Sequence, residues 1–470
     1  MTEIDRLANG EVSSSALVEQ YLERIDAVEG EIGAYVTVTA DLARQQAAAA
    51  DAALAAGRSL GPLHGLPVAL KDNIDTAGIL TTSGSGHFLD NVPTADATVA
   101  ARLRAAGAVL LGKLTMHELA YGATSQNEWT GPCRNPWDTS RIPGGSSGGS
   151  GAAVAADEAA LTLGTDTGGS VRLPGSLNGC VGLRPTFGRV PVRGIFPIAV
   201  SFDTCGPLAR HALDVARALD VIAGYDPLDP VSVAAPGAPG APGAPGAPGA
   251  PAASCAAGID AGVAGLRVAV PRGFFWCDSD PEVAALVRAA AQQLAALGAD
   301  VVEIDLPRAE QTHAAVSLIA RCDALALHRE RVAGAREKFG SEVLRRLLTA
   351  NDISGADYAE AREFGRGWAR QVDELFAAGS DLVLTPSALI PAPPAADAGD
   401  VIETTRLMTT LTYAWTLAGV PAASVPCGFT AAGLPVGVQL AARRWHDATV
   451  LRAAHAYQQV SDWHLRRAIP

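Results

Sequence analysis

The sequence predicts an α/β fold in which helices cover most of a central sheet. Short apolar runs typical of buried strands recur along the chain, at residues 66–70, 108–111, 266–270, 301–304, 381–384 and 435–440. Between them lie amphipathic or alanine-rich stretches with helical spacing, for example residues 282–297 and 362–377. Strands that alternate with helices in this way are typical of α/β proteins.

The predicted segments follow from composition. Residues 1–60 are expected to be helical, because residues 16–25 have apolar positions at helical spacing and residues 41–56 are rich in alanine. Residues 61–225 form the predicted core, residues 226–262 an Ala-Pro-Gly-rich loop, and residues 263–470 the C-terminal part of the same α/β domain. The repeated A-P-G units predict an extended, mobile surface loop, either a neutral insertion or a lid near the site.

Charge and cysteine content exclude several classes of protein. The chain has 36 basic and 49 acidic residues, a net charge of −13, which argues against nucleic acid as a main ligand. Its seven cysteines form no C-x-x-C pair, so we expect no disulfide framework, no metal site and a reducing, cytoplasmic location. We find no signal peptide and no apolar run of about 18 residues, so no membrane contact is expected.

Lysine is rare in this chain. Only Lys71, Lys113 and Lys338 occur among the 36 basic residues, and the rest are arginines. Arginine cannot act as a base in proteins, whereas a buried lysine can lose its proton. Lys71 directly follows the predicted strand 66–70, so a neutral amine there would be a competent base. For Lys338, in a charged helical stretch, we favour a surface role.

Two segments rich in glycine and serine are candidates for the catalytic centre. Residues 143–151 read PGGSSGGSG, and residues 164–170 read GTDTGGS. Glycines at this density allow backbone N–H groups to converge on a ligand, which an oxyanion hole requires. A serine in such a frame needs a base to become a good nucleophile.

Other interpretations of the first segment are weaker. It matches G-x-S-x-G, but a nucleophile elbow must follow a strand, and Pro136 and Pro143 argue against one here. The segment has no Walker A lysine, which excludes a phosphate-binding loop. A glycine-rich loop without chemistry remains open from this segment alone. The histidines nearest in sequence, His64, His87 and His117, are expected to have structural or pocket-lining roles.

The chain resembles the amidase signature family. The resemblance rests on Lys71 with its flanking residues, the two glycine–serine segments, and residues 179–186, 201–207 and 418–426. The spacings between Lys71, Ser146 and Ser170 also match the family. It implies a single domain with a central twisted mixed β-sheet covered by helices on both faces, and it covers roughly residues 5–460.

The resemblance also implies a catalytic machinery without metal or organic cofactor. In it Lys71 is the base, Ser146 is the proton relay on a cis peptide bond, and Ser170 is the nucleophile. The backbone N–H groups of Thr167, Gly168, Gly169 and Ser170 form the oxyanion hole. Ser147 is expected to support the loop through hydrogen bonds. Three further residues are expected to frame the site: Asp166, Arg172 and Asp203.

The substrate is predicted from the same resemblance. The chain looks most like metagenomic urethanases of the family, which implies hydrolysis of amides and aryl carbamates by a monomer or homodimer. The alternative is the glutaminase subunit of a glutamyl-tRNA amidotransferase, but Leu173 stands where those proteins typically have glutamine, which favours an apolar substrate. The expected substrate-binding residues are Ala120, Tyr121, Gly122 and Arg189. Tyr121 in the core and Arg189 as a surface charge remain alternatives.

Overall fold

Eleven strands form a single sheet in the residues that the computed structural model describes, which are 2–236, 254–396 and 400–468. The order across the sheet is β1-β3-β2-β4-β6-β5-β10-β11-β9-β7-β8. The strands are β1 (Tyr35–Val38), β2 (Pro67–Lys71), β3 (Val109–Leu114), β4 (Leu161–Asp166), β5 (Val181–Arg184), β6 (Thr204–Ala209), β7 (Arg267–Pro271), β8 (Asp300–Ile304), β9 (Leu382–Pro386), β10 (Ala422–Phe429) and β11 (Pro435–Ala442).

The sheet is mixed, as the family resemblance implied. Strand β2 pairs in parallel with β3 and β4, and β7 pairs in parallel with β8 and β9. The other pairs are antiparallel, including the long hairpin of β10 and β11. The predicted α/β class with a mixed central sheet is therefore confirmed.

Helices cover both faces of the sheet. Successive side chains of a strand point to opposite faces, and every residue of β2, β3, β4, β5, β6, β9 and β11 is buried. The helices are α1 (Glu3–Ala8), α2 (Ser14–Ile32), α3 (Ala40–Ala55), α4 (Thr98–Ala105), α5 (Gly148–Ala155), α6 (Arg172–Asn178), α7 (Ala212–Ile222), α8 (Pro281–Ala296), α9 (Thr312–Gly334), α10 (Ser341–Leu348), α11 (Gly355–Ala377), α12 (Val401–Thr409), α13 (Tyr413–Ala418) and α14 (Asp447–Gln458).

The N-terminal segment is not purely helical, which corrects one expectation. Strand β1 interrupts the helices and pairs antiparallel with β3 at the edge of the sheet. Its four residues, YVTV, are β-branched or aromatic, the types that fit a pleated surface. The segment bounds proposed from composition remain predictions. Residues 237–253, which include almost all of the repeated A-P-G units within the predicted loop 226–262, lie outside the described residues.

The parallel pairing of β2 and β4 places the two motifs together. Lys71 is the last residue of β2, and the second glycine–serine segment begins within β4 and continues beyond it. The carboxyl ends of parallel neighbours lie at the same edge of a sheet. Helix α5 begins within the first glycine–serine segment, which approaches the same edge.

Candidate active site

The amine of Lys71 lies in a fully buried, hydroxyl-lined site. Its Nζ is 2.7 Å from Ser146 Oγ and 2.7 Å from Thr165 Oγ1, and the side chain has no solvent exposure. Burial lowers the pKa of Lys71 to about 7, although the negative charges of Asp203 and Asp166 oppose this change. A substantial fraction of this amine is therefore neutral near pH 7, as a base requires.

Ser146 lies in a loop that needs glycine at neighbouring positions. The Gly145–Ser146 peptide bond is cis, and Gly144 has a φ of 80°. A Cβ on Gly148 would be 2.3 Å from Ser125 Oγ, so the chain has no room there for a larger residue. In the described residues no strand lies between the end of β3 at Leu114 and this loop, which agrees with the argument against a nucleophile elbow.

Ser147 joins the two glycine–serine segments. Its Oγ donates to the carbonyl oxygen of Thr165 at 3.1 Å and accepts from the Thr165 N–H at 3.2 Å. The backbone N–H of Ser147 donates to the carbonyl oxygen of Ser170. These contacts fit the supporting role expected for Ser147.

Asp166 holds the second segment in place. Its carboxylate accepts hydrogen bonds from Arg172 at 2.9 Å, from Arg184 at 3.1 Å and from the Gly169 N–H at 2.8 Å. The two guanidinium groups keep the pKa of Asp166 well below its usual value even though burial opposes this. The Gly169 N–H is already bonded to Asp166, so the N–H groups of Thr167, Gly168 and Ser170 remain the candidates for the expected oxyanion hole.

Asp203 supports the same segment from the other side. Its carboxylate accepts from Thr167 Oγ1 at 2.6 Å and from the Ile198 and Ala199 N–H groups at 2.9 and 3.1 Å. Burial raises the pKa of Asp203 to about 6, while these hydrogen bonds act in the opposite direction. Asp203 therefore frames the site, as expected from the sequence.

Ser170 is half-buried and opens into a cavity of about 420 Å³. The predicted substrate-binding residues Ala120, Tyr121 and Gly122 line this cavity, together with Thr167 and Gly168. Tyr121 also belongs to a hydrophobic cluster, so the pocket and core interpretations both hold for it. Sequence reasoning missed the remaining lining residues: Ala123, Ile198, Val316, Ala320, Arg346, Thr405, Thr409 and Tyr413.

Arg189 lies elsewhere, which corrects its predicted contact with substrate. Its side chain is buried and forms an ion pair with Asp447 at 2.9 Å. A second guanidinium nitrogen contacts Cys255 Sγ at 3.2 Å. Arg189 thus joins the chain after β5 to the start of α14, and neither the contact with substrate nor the surface charge is observed.

Leu173 also lies away from the cavity lining. It is fully buried in a cluster with Ala123, Leu177 and Met408. The replacement of glutamine by leucine therefore adds packing behind the site and does not itself make the substrate cavity apolar. The inference from Leu173 to an apolar substrate is corrected accordingly.

His117 has the structural role expected of the nearby histidines. It is buried and its Nδ1 lies 3.2 Å from Thr124 Oγ1, and burial lowers its pKa to about 3. The described residues contain no group of three or more His, Cys, Asp or Glu that could hold a metal ion. None of the helices in the described ranges is both long and apolar enough to cross a membrane.

Comparison with known proteins gives a consistent family. A family model described as Amidase matches residues 16–451. A glutamyl-tRNA(Gln) amidotransferase subunit of Moorella thermoacetica is 41% identical over 98% of this chain and 96% of the relative.

Two solved structures extend the comparison. One, described as a vestigial protein complex that reveals the evolutionary origins of an s-triazine catabolic enzyme, has a TM-score of 0.89 and 36% identity, and covers 98% of this chain and 99% of the other. The other, a peptide amidase from Stenotrophomonas maltophilia, has a TM-score of 0.81 and 32% identity, and covers 97% and 95%. The chain therefore belongs to the amidase family and is an amidase signature hydrolase that acts on carbon–nitrogen bonds.

Proposed function

We propose that Lys71, Ser146 and Ser170 form a Ser–Ser–Lys triad that hydrolyses an amide bond. The observation that carries the proposal is the buried Lys71 amine, 2.7 Å from Ser146 Oγ and with a pKa lowered to about 7. A serine hydroxyl next to a neutral amine can give its proton to the amine and then accept a proton from a second serine. The family's motifs and spacing assign Ser170 the role of that second serine.

The proposed reaction proceeds through an acyl-enzyme. Neutral Lys71 takes a proton from Ser146, and Ser146 takes one from Ser170 as Ser170 Oγ attacks the carbonyl carbon. The carbonyl oxygen becomes an oxyanion against the N–H groups of Thr167, Gly168 and Ser170. Ser146 then protonates the leaving nitrogen as the carbon–nitrogen bond breaks, and Lys71 returns its proton to Ser146. Water attacks the acyl group by the same relay and releases the acid and free Ser170.

The cavity suggests the substrate class. Arg346 is the one charged side chain among the described residues that line it. Its Nη1 donates to the Tyr121 carbonyl oxygen at 3.1 Å, and its guanidinium stacks 4.2 Å above the Tyr121 ring. A guanidinium held in this way is suited to a carboxylate. We propose an amide whose acyl part carries a carboxylate.

Glutamine is the first candidate within this class. The relative from M. thermoacetica is named as one subunit of a glutamyl-tRNA(Gln) amidotransferase, and it matches over nearly its full length. Glutamine has an amide and a carboxylate, but it also has an ammonium group, and no carboxylate occurs among the described lining residues. The proposed class therefore includes carboxylate-bearing amides without an amino group.

Aryl carbamates are the second candidate. The cavity lining includes Ile198, Val316, Ala320 and the Tyr413 ring, which together give an apolar surface that fits an aromatic group. Attack by Ser170 on such a substrate would expel the amine and leave an alkoxycarbonyl group on Ser170; water would then release a carbonic half-ester, which breaks down to the alcohol and carbon dioxide. Aryl amides and carbamates place the oxyanion at the same position, so the same catalytic residues could hydrolyse both.

The two candidates imply different partners. An amidotransferase subunit would work with the other chains of its enzyme, whereas a urethanase would act as the monomer or homodimer expected from the sequence. The expectations of no direct nucleic-acid contact and of a cytoplasmic location remain predictions in either case.

The test is amine or ammonia release by the purified chain from glutamine, a carboxylate-bearing amide without an amino group, such as glutaramic acid, and a phenyl carbamate. Glutaramic acid and glutamine are expected to be hydrolysed, and Ser170→Ala should abolish both reactions. Hydrolysis of the carbamate alone would favour the second candidate. Normal turnover by Ser170→Ala would overturn the assignment of the nucleophile.

A further inference from the structure

A second cleft lies apart from the active-site cavity and is rich in arginine. It has a volume of about 630 Å³, and its lining includes Arg362, Arg366 and Arg444. No acidic residue occurs among the described residues that line it. Three guanidinium groups around one cleft are unexpected in a chain with a net charge of −13, and the proposed hydrolysis uses none of them.

Two of the three arginines lack a carboxylate partner. Arg366 pairs with Glu363 on the same helix, α11. Arg362 donates to Ser201 Oγ at 2.8 Å, and Arg444 has a long contact of 3.5 Å to the Phe187 carbonyl oxygen. In the described ranges neither Arg362 nor Arg444 lies within ion-pair distance of a carboxylate. Their positive charges are thus available to a bound anion.

The rest of the cleft is mostly apolar. Phe187, Phe202, Ile319 and Leu417 contribute to its wall, and Ala369 adds a small side chain from α11. A site with an apolar wall and a few charged groups fits an organic ligand better than a hydrated inorganic ion. The combination of guanidinium groups and aromatic rings fits an aromatic or otherwise apolar carboxylate.

The cleft and the active-site cavity share two helices. On α13, Tyr413 lines the cavity and Thr416 lines the cleft; on α9, Ala320 lines the cavity and Ile319 lines the cleft. A ligand in the cleft would therefore contact the helices that form one wall of the catalytic cavity.

Hydrogen bonds connect α13 to the second glycine–serine segment, which contains the expected oxyanion-hole N–H groups. Thr416 Oγ1 accepts from Arg172 Nη2 at 2.9 Å, and Arg172 Nη2 also donates to Asp166 Oδ1 at 2.9 Å. Asp166 in turn accepts from the Gly169 N–H, and Thr412 Oγ1 donates to the Gly168 carbonyl oxygen at 2.5 Å. Movement of α13 would thus be transmitted to the backbone that faces the substrate.

We propose that this cleft is a second binding site, distinct from the catalytic cavity, for a small organic anion with an apolar body. Arg362 and Arg444 bind its carboxylate, the apolar wall holds its hydrocarbon part, and α13 couples its occupancy to the rate of hydrolysis. The proposal goes beyond the proposed function, because it requires neither the triad nor a particular substrate.

The experiment is calorimetric titration of the full chain with 2-naphthoate, with neutral 2-naphthalenemethanol and with inorganic phosphate. We expect 2-naphthoate to bind, the neutral alcohol to bind much more weakly, and phosphate not to compete at comparable concentration. The double variant Arg362→Gln/Arg444→Gln should weaken naphthoate binding by roughly tenfold or more, since it removes two charge-assisted contacts. Full competition by phosphate would overturn the organic-anion class.

Three further variants identify the site. Arg370→Gln is the matched control, because Arg370 lies on α11 but pairs with Glu374 outside the cleft; it should bind as the wild type does. Ala369→Phe fills the cleft without changing charge and should weaken binding as well. Arg346→Gln alters the catalytic cavity, where the proposed function also places a carboxylate and an aromatic group; it should remove any naphthoate bound there and leave binding at the cleft unchanged. Loss of all binding in Arg346→Gln, or normal binding in both cleft variants, would overturn the proposal.

Coupling is measured as the rate of amide hydrolysis with and without 2-naphthoate. The rate should change in the wild type and in Arg370→Gln, and it should not respond in the double variant. A response that persists in the double variant would place the effect in the catalytic cavity. Binding at the cleft without any change in rate would overturn the coupling through α13.

Discussion

Replacement of Lys71 by methionine and by arginine separates charge from base function. A pKa of about 7 in place of 10.5 means that folding disfavours the protonated amine by about 5 kcal/mol. Between these two values the unfolded chain binds a proton that the folded chain does not, so this group makes stability rise with pH. Below pH 7 both states are protonated, and the folded state retains the full penalty.

Lys71→Met removes this pH dependence. The free-energy difference between the wild type and Lys71→Met should shift in favour of the wild type by about 2 kcal/mol from pH 7 to pH 9, because other groups titrate equally in both. Lys71→Arg keeps its charge at every pH, so its stability should also fall behind the wild type as pH rises. Both variants should lose several powers of ten in kcat/KM.

The assay is urea unfolding of the three proteins at pH 7 and pH 9, with kcat/KM measured from pH 5.5 to 9. The wild-type kcat/KM should rise about tenfold per pH unit below pH 7 and level off above it, as the neutral amine accumulates. If the wild type and Lys71→Met differ in free energy of unfolding by the same amount at pH 7 and at pH 9, Lys71 does not titrate in this range. An active Lys71→Arg enzyme would falsify the base assignment.

Three other substitutions test the site and its frame. Ser170→Ala should abolish turnover and leave the thermal midpoint nearly unchanged, because Ser170 is only half-buried; a shift of many degrees would point to a structural role. Arg346→Gln should raise KM for a carboxylate-bearing amide by roughly tenfold with little change in kcat, whereas Arg345→Gln, an exposed neighbour, should have no effect on KM. Asp166→Asn should lower the free energy of unfolding by about 3–5 kcal/mol in urea titration, because it leaves buried guanidinium groups without a counter-charge; an unchanged midpoint would contradict this.

Sequence patterns identified six of the eleven described strands and missed β1, β4, β5, β6 and β10, all of which except β1 contain glycine. Strands β2, β3, β7, β8, β9 and β11 coincide with predicted runs, apart from one or a few residues at their ends. Strands β4, β5 and β6 contain glycines that a local pattern assigns to loops. A Cβ on Gly206 would be 1.9 Å from the Leu183 carbonyl oxygen. These glycines permit close strand contact, which depends on neighbours that are distant in sequence.

For the same reason, sequence analysis could find the catalytic motifs but missed most of the residues that line the cavity. Local glycine and serine patterns contain Ser146, Ser170 and the oxyanion segment, so sequence analysis could find them. Arg346, Tyr413 and Val316 lie on helices without any motif and reach the cavity only through tertiary packing. Arg189 failed as a prediction for this reason, since its buried partner, Asp447, lies 258 residues further along the chain.

Two of the chain's few lysines, Lys71 and Lys113, are buried, and they differ in the groups that surround their amines. Lys113 lies on the parallel neighbour strand β3, in register with Leu70, and is as buried as Lys71. Its Nζ is 3.5 Å from the Asp72 carboxylate and also donates to the Ile74 carbonyl oxygen at 2.7 Å and to a threonine hydroxyl. Burial lowers the pKa of Lys113, but the Asp72 carboxylate at this distance acts in the opposite direction and favours the ammonium form. The nearest partners of Lys71 are hydroxyl groups, which stabilise a neutral amine equally well. Composition alone could select both lysines. The position of Asp72 favours the charged form of Lys113, whereas Lys71 remains available as the proposed base.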